Sequence, residues 1–106
     1  MPKYLIQASY TADGIQGLLK DGGSKRKAAA EQAIKGLGGS IEAFYFAFGD
    51  ADAVVIVDAP DNQTAAAVSL AVTASGAVRT KITVLMTPEE MDQATKKSVS
   101  YRPPGR

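Results

Sequence analysis

Residues 40–59 read SIEAFYFAFGDADAVVIVDA, and this stretch decides the fold. Residues 40–48 are rich in aromatic side chains and predict a strand, because aromatic residues fit the pleated surface of a sheet. Gly49-Asp50-Ala51-Asp52 is a turn signal. Residues 53–59 are the most continuously apolar run, which is typical of a central strand buried on both faces. The stretch therefore predicts two neighbouring strands of one sheet.

Two further strands flank this pair, because residues 3–10 (KYLIQASY) and 77–86 (AVRTKITVLM) both alternate in polarity. Helices are predicted between the strands. A short helix spans residues 11–20, a longer one runs from Lys25 to about Leu37 with Ser24 as its cap, and an alanine-rich one follows the cap Asp61. A fourth helix begins at Thr87 with a capping box completed by Glu90.

The order of these elements is β-α-β-β-α-β plus one C-terminal helix. That order predicts an α+β fold with a ferredoxin-like antiparallel sheet. We expect residues 1–97 to form the domain and residues 98–106 to form an extended C-terminal tail. In that tail, Tyr101 either anchors the segment across a partner subunit or frays with it.

Composition narrows the classes of function. The 106 residues carry a net charge of +1, which is unlike a strongly basic nucleic-acid binder. The chain has no cysteine and no histidine, so thiolate and imidazole chemistry are excluded and we expect neither a metal nor a cofactor. No apolar run approaches the ~20 residues of a membrane span and no secretory leader is recognisable. We therefore expect a cytoplasmic protein that binds neither nucleic acid nor membrane.

A bare sheet face points to self-assembly. Two crossover helices cover one face only, yet both alternating sets of strand 40–48 are mainly apolar. The two predicted sets are Ile41, Ala43, Tyr45 and Ala47 on one side, and Glu42, Phe44, Phe46 and Phe48 on the other. Monomers rarely expose such a patch, so we expect a second subunit to pack sheet to sheet about a two-fold axis. Alternatively, the C-terminal helix folds back over that face.

Several blocks of sequence resemble one known family. The blocks are FYFAFGDADAVVIVDAPD (44–61), GGSKR (22–26), SLAV (69–72), SGAVR (75–79), LMTPEE (85–90) and YRPPG (101–105). Together they resemble the GYD domain family over nearly the whole chain. Gly49 and Asp52 match the turn of the family, but Ala51 stands where that family has a tyrosine. The resemblance implies a dimeric α/β barrel, in which paired ferredoxin-like sheets enclose a pocket, and it implies no established reaction.

Polar side chains of the first and last strands form the main candidate ligand site. Arg79 and Lys81 share a face of the last strand, and Gln7 and Ser9 would be their neighbours if the two strands pair. If that face lines the barrel, these groups could hold a carboxylate or phenolate, with Tyr45 joining from the second strand. Alternatively, Arg79 and Lys81 simply reach solvent.

Two other clusters have both a functional and a structural interpretation. Ser24, Lys25 and Arg26 place cations at a helix N-terminus, which suits an anion, although a solvated basic turn is the simpler account. The turn residues Gly49, Asp50 and Asp52, with Asp58 beyond them, offer carboxylates to a hard cation. The alternative is turn chemistry, in which Asp52 accepts backbone hydrogen bonds.

The sequence therefore predicts a small homo-oligomer of uncharacterised function that binds a small organic anion in a pocket between sheets. The alternative is a cofactor-free dimeric α/β-barrel enzyme, of monooxygenase, isomerase or decarboxylase type. Without histidine, its base would be Asp58, Glu42, Lys81 or a tyrosine with a shifted pKa. Nucleic-acid binding on the sheet has the required aromatics but no basic-aromatic motif.

Overall fold

The computed structural model describes residues Met1–Arg106, which form four strands and four helices. The elements are β1 (Lys3–Tyr10), α1 (Ala12–Asp21), α2 (Gly23–Lys35), β2 (Ser40–Phe46), β3 (Ala53–Asp58), α3 (Asn62–Ala74), β4 (Val78–Leu85) and α4 (Pro88–Thr95). The strands form one antiparallel sheet in the order β2-β3-β1-β4. The predicted α+β class is confirmed, and this strand order is compatible with a ferredoxin-like fold. None of the helices combines the length and the apolar character needed to cross a bilayer.

The core lies between one face of the sheet and the helices α2 and α3. Alternate residues of β1 and β3 are buried, as their polarity predicts. The main cluster consists of Tyr4, Ile6, Ile34, Val55, Val57, Ala59 and Ala65. Tyr4 is one of the largest fully buried side chains, and its hydroxyl donates to Oδ1 of Asn62 at 2.6 Å. This bond satisfies the one polar atom that the tyrosine brings into the core.

A β-bulge in β2 changes which of its side chains face the helices. The pairing with β3 shifts between Ile41 and Ala43, and the extra residue moves the alternation by one position. Ile41 and Phe44 therefore both pack against the core, and the ring of Phe46 lies beside Gly23 of α2. The predicted sets hold from Ala43 to Phe46, but Ile41 and Glu42 lie on the opposite faces from those predicted, because simple alternation assumes an unbroken pleat. The side chains of β2 on the opposite face are Glu42, Ala43 and Tyr45.

The helix starts follow local capping chemistry, with one correction. Asp61 accepts the backbone N–H of Thr64 at 2.8 Å, and Thr87 and Glu90 form the predicted capping box. However, α2 begins at Gly23 with Gly22 as N-cap, so the prediction that Ser24 caps this helix is wrong. Gly22 has φ +82°, a conformation that glycine adopts without strain. It ends α1 and starts α2 with no linker between them.

The C-terminal helix does not cover the bare face of the sheet. No residue of α4 is buried, and Met91 remains half exposed. The chain extends over 56 × 33 × 23 Å with a radius of gyration of 16.9 Å, whereas about 13 Å is typical of a compact domain of this size. Residues 88–106, the C-terminal arm, therefore project away from the domain, and the alternative in which α4 folds back over the bare face is not seen.

Candidate functional site

The face of the sheet opposite α2 and α3 is uncovered, and we call it the open face. On β1 and β3 its residues alternate with the buried ones. They are Lys3, Leu5, Gln7 and Ser9 of β1, Glu42, Ala43 and Tyr45 of β2, Val54, Ile56 and Asp58 of β3, and Arg79, Lys81, Thr83 and Leu85 of β4. Polar groups lie at two ends of this face, and the apolar row of Ala43, Ile56 and Leu5 separates them.

The β1–β4 ladder brings together four of the predicted ligand-binding residues. Gln7 pairs with Lys81 and Ser9 pairs with Arg79, which confirms that the first and last strands are neighbours. These side chains line a depression of about 300 Å³, together with Asp50, Ala51 and Thr80. We call this space the β1–β4 depression. Cationic and hydrogen-bonding groups dominate its walls.

The charged groups of the depression form no ion pairs with the rest of the chain. Both ion pairs in the structure are made by Lys3, so neither Arg79 nor Lys81 has a carboxylate partner. Asp50 lines the same space but lies beyond ion-pair distance of both cations. Two cations held on one strand without an ion-pair partner can bind an anion with little rearrangement.

Tyr45 shares the open face but does not reach this depression. It lies in one cross-strand row with Val54, Gln7 and Lys81. Two strand spacings, about 10 Å, separate it from Gln7. Its side chain is 71% exposed. Within one chain, the structure therefore groups Tyr45 with the apolar centre of the face rather than with the cationic residues.

The opposite end of the open face holds an ion-pair cluster. The Nζ atom of Lys3 lies 2.9 Å from Oδ1 of Asp58 and 3.3 Å from Oε1 of Glu42. The hydrogen bond to Asp58 raises the pKa of Lys3 above its ordinary value, and the bond to Glu42 adds to the effect. Two of the bases considered for an enzyme are thus held by a lysine. No charged side chain in the chain is buried.

The turn residues separate into two roles. The carboxylate of Asp52 is directed to the end of β1, where it accepts a backbone hydrogen bond. Asp50 is exposed at the rim of the β1–β4 depression, and Gly49 is exposed with open space around it. The structure contains no group of three acidic side chains arranged to hold a metal ion.

The three residues at the start of α2 do not converge. Arg26 is half-buried and lines two spaces beneath the helices, one of which also contains Asp13 and Asp21. Ser24 and Lys25 are exposed and line neither space. The predicted grouping therefore separates into two exposed residues and one arginine directed inward, a direction that helix capping patterns do not reveal.

Comparison with known proteins gives one family. A family model described as the GYD domain matches residues 4–95, which include all four strands except the first residue of β1, and α4. No curated protein and no solved structure matches the chain. The matched region also contains every residue of the β1–β4 depression.

Proposed function

Because the chain belongs to the GYD domain family, we propose a function that rests on its sheet: two copies pack through their open faces and bind a small organic anion in the β1–β4 depression. The observation that carries this proposal is the pair of cations without acidic partners. Arg79 and Lys81 lie two residues apart on β4, with Gln7 and Ser9 directly opposite. Residues 4–95 then form a binding module, and no residue need act as a base.

The chemistry of the lining favours a carboxylate or a phenolate. The guanidinium of Arg79 offers parallel N–H donors that match the two oxygens of a carboxylate. Lys81 adds a second positive charge, and Gln7 and Ser9 can donate hydrogen bonds to a further oxygen of the ligand. Asp50 at the rim repels an anion, so we place the negative end of the ligand against β4.

The volume of the depression is also suitable for a small ligand. At about 300 Å³, it lies at the lower end of the range of roughly 300–1,000 Å³ for ligand pockets. The depression is open to water in one chain, which weakens each charged contact. A second sheet placed over it would exclude water and strengthen the attraction between Arg79 and the ligand.

The apolar centre of the open face supports assembly with a second copy. Leu5, Val54 and Ile56 remain partly exposed there, and Tyr45 adds a largely exposed ring. A two-fold axis through this centre brings like residues together, as in isologous interfaces. The ion-pair cluster of Lys3, Glu42 and Asp58 then lies at the rim of the interface, where polar groups remain hydrated, whereas the β1–β4 depression lies beneath the second sheet.

Two substitutions test assembly. We expect light scattering to give a mass near twice the 11.0 kDa of one chain. Ile56→Asp should convert the protein to monomer, because it places a charge in the apolar centre. The control Thr73→Asp on the exposed surface of α3 should not. A natural protein that stays at 11.0 kDa at high concentration contradicts the assembly.

Binding is tested separately by isothermal titration calorimetry with a panel of aromatic and aliphatic carboxylates. We expect at least one panel member to bind and Arg79→Gln to weaken it about tenfold or more, since one charge-assisted hydrogen bond contributes about 1.5–3 kcal/mol. The control Lys20→Gln on α1 should bind normally. Equal binding by Arg79→Gln and the natural protein excludes the β1–β4 depression as the site.

A further inference from the structure

A second, more apolar space lies on the other side of the sheet. It sits between the sheet and the helices α2 and α3 and has a volume of about 130 Å³. Fourteen of its 17 lining residues are hydrophobic, so the space is suited to an apolar group rather than to water. We call it the helix-side cavity. It shares only Thr80 with the β1–β4 depression.

Small side chains create this cavity. The wall formed by α2 consists mainly of Ala29, Ala30 and Ala33, whose methyl groups do not reach across to the sheet. Ile34 is the one buried residue of α2. Ala29 and Ala33 are exposed, so the space opens to solvent beside α2. Its apolar walls therefore remain in contact with water unless a ligand covers them, and covering them is favourable.

Arg26 gives the cavity a charged end. It is the only charged residue in the lining, and its guanidinium forms no ion pair, since Lys3 makes both ion pairs of the chain. Arg26 also lines a neighbouring space that contains Asp13 and Asp21. The helix-side cavity itself has no acidic residue in its lining. Ser69 and Thr80, the other polar residues of the wall, hydrogen-bond to each other through their hydroxyls.

We propose that the helix-side cavity binds a small apolar carboxylate, with its ring or branched chain among the alanines and valines and its carboxylate on Arg26. An apolar cavity of roughly 150 Å³ holds one benzene molecule. The helix-side cavity is slightly smaller, at about 130 Å³, so a benzoate ring would fill it and the carboxylate would lie outside the apolar walls, on Arg26. The apolar lining provides affinity by burying the ring, and the unpaired arginine selects the acid over its neutral analogue. This site is independent of the sheet-to-sheet assembly and of Arg79.

Three probes, benzoate, benzene and acetate, separate the contribution of the apolar walls from that of the charge on Arg26. We expect calorimetry to show that benzoate binds at least tenfold more tightly than benzene, and that acetate, which has the charge but no ring, does not bind. Arg26→Met retains an unbranched apolar side chain and removes the charge, so it should abolish the preference for benzoate over benzene. The matched control is Lys27→Met, which removes an exposed charge of the same helix that lines neither space and should leave benzoate binding unchanged.

Substitutions that fill the helix-side cavity test whether the ligand binds there. Ala30→Leu should remove the binding of both benzoate and benzene, whereas the exposed Ala28→Leu on the same helix should not. Amide shifts in NMR spectra of the folded natural protein provide a second measurement, in which benzoate should perturb Val68 and Val72. Binding that survives Ala30→Leu in a folded variant, or benzoate shifts confined to the open face, overturns the proposal. So does the absence of any benzoate or benzene binding.

Discussion

The carboxylate of Asp52 accepts a hydrogen bond of 2.8 Å from the backbone N–H of Tyr10, 42 positions away along the chain. The backbone of Asp52 also donates to the carbonyl of Ala8 at 2.8 Å, and its own carbonyl accepts from Ala47 at the same distance. One residue thus closes the turn after β2 and joins that turn to the end of β1. Asp52 acts as the structural acceptor of this turn, and its partner on β1 is distant in sequence.

Asp52→Ala should therefore destabilise the domain by about 1–3 kcal/mol, because the partly buried N–H of Tyr10 loses its acceptor. Urea unfolding monitored by circular dichroism measures the change. Asp52→Asn retains a side-chain oxygen and should cost less. The control is Asp50→Ala, which removes an exposed carboxylate two residues away and should change the unfolding free energy by less than about 0.5 kcal/mol. Equal effects of the two alanine variants contradict this role.

Two glycines of α1 should respond to alanine in opposite directions. Gly14 is buried, and a Cβ there would overlap the carbonyl oxygen of Ala77, which also accepts the N–H of Thr11 at 2.9 Å. Gly17 lies in the same helix with open space around it. Gly14→Ala should cost about 1–3 kcal/mol through overpacking, whereas Gly17→Ala should stabilise by roughly 0.5–1 kcal/mol because alanine favours helix. Thermal and urea unfolding of both variants test the difference in sign.

The cap of α3 predicts a dependence of stability on acid. The hydrogen bonds from the side chain and the backbone N–H of Thr64 lower the pKa of Asp61 below its ordinary value of 3.8. Because the folded pKa is the lower one, this contribution is complete above the unfolded pKa and is lost as the pH falls through the folded value. Asp61→Ala should therefore be less stable than the natural protein at pH 7, and the gap should narrow below about pH 4. A gap that is constant from pH 7 to pH 2.5 contradicts the carboxylate as its source.

Much of this fold follows from local patterns. Alternation predicts β1 and β4, and the antiparallel pairing of these two strands is what places Gln7 and Ser9 opposite Lys81 and Arg79. Capping chemistry predicts the start of α4, where side chain and backbone satisfy each other within four residues. Such features are local or follow from topology, so the sequence is sufficient to find them.

Other features depend on tertiary packing, which sequence patterns do not encode. The bulge beside Ile41 could not be predicted from the sequence, because the residues on both faces of β2 are mainly apolar and a shift in alternation leaves no clear change of pattern. Asp50 joins the β1–β4 depression only through the path of the turn. The helix-side cavity cannot be predicted without the distance between α2 and the sheet. From the sequence alone, the stripe of alanines in α2 resembles an ordinary packed face. These features are determined by the register or the spacing of whole elements and not by the propensity of any one residue.

Removal of the C-terminal arm gives the last prediction. No residue of α4 is buried, and Val99 and Tyr101 are largely exposed, so the arm contributes little to the stability of a single chain. In the monomeric Ile56→Asp background, a chain that ends at Thr87 should keep the unfolding free energy of the longer chain within about 0.5 kcal/mol. Urea unfolding of the two chains at equal concentration measures this. A loss of more than about 1 kcal/mol in that background would mean that the arm packs on its own domain in solution.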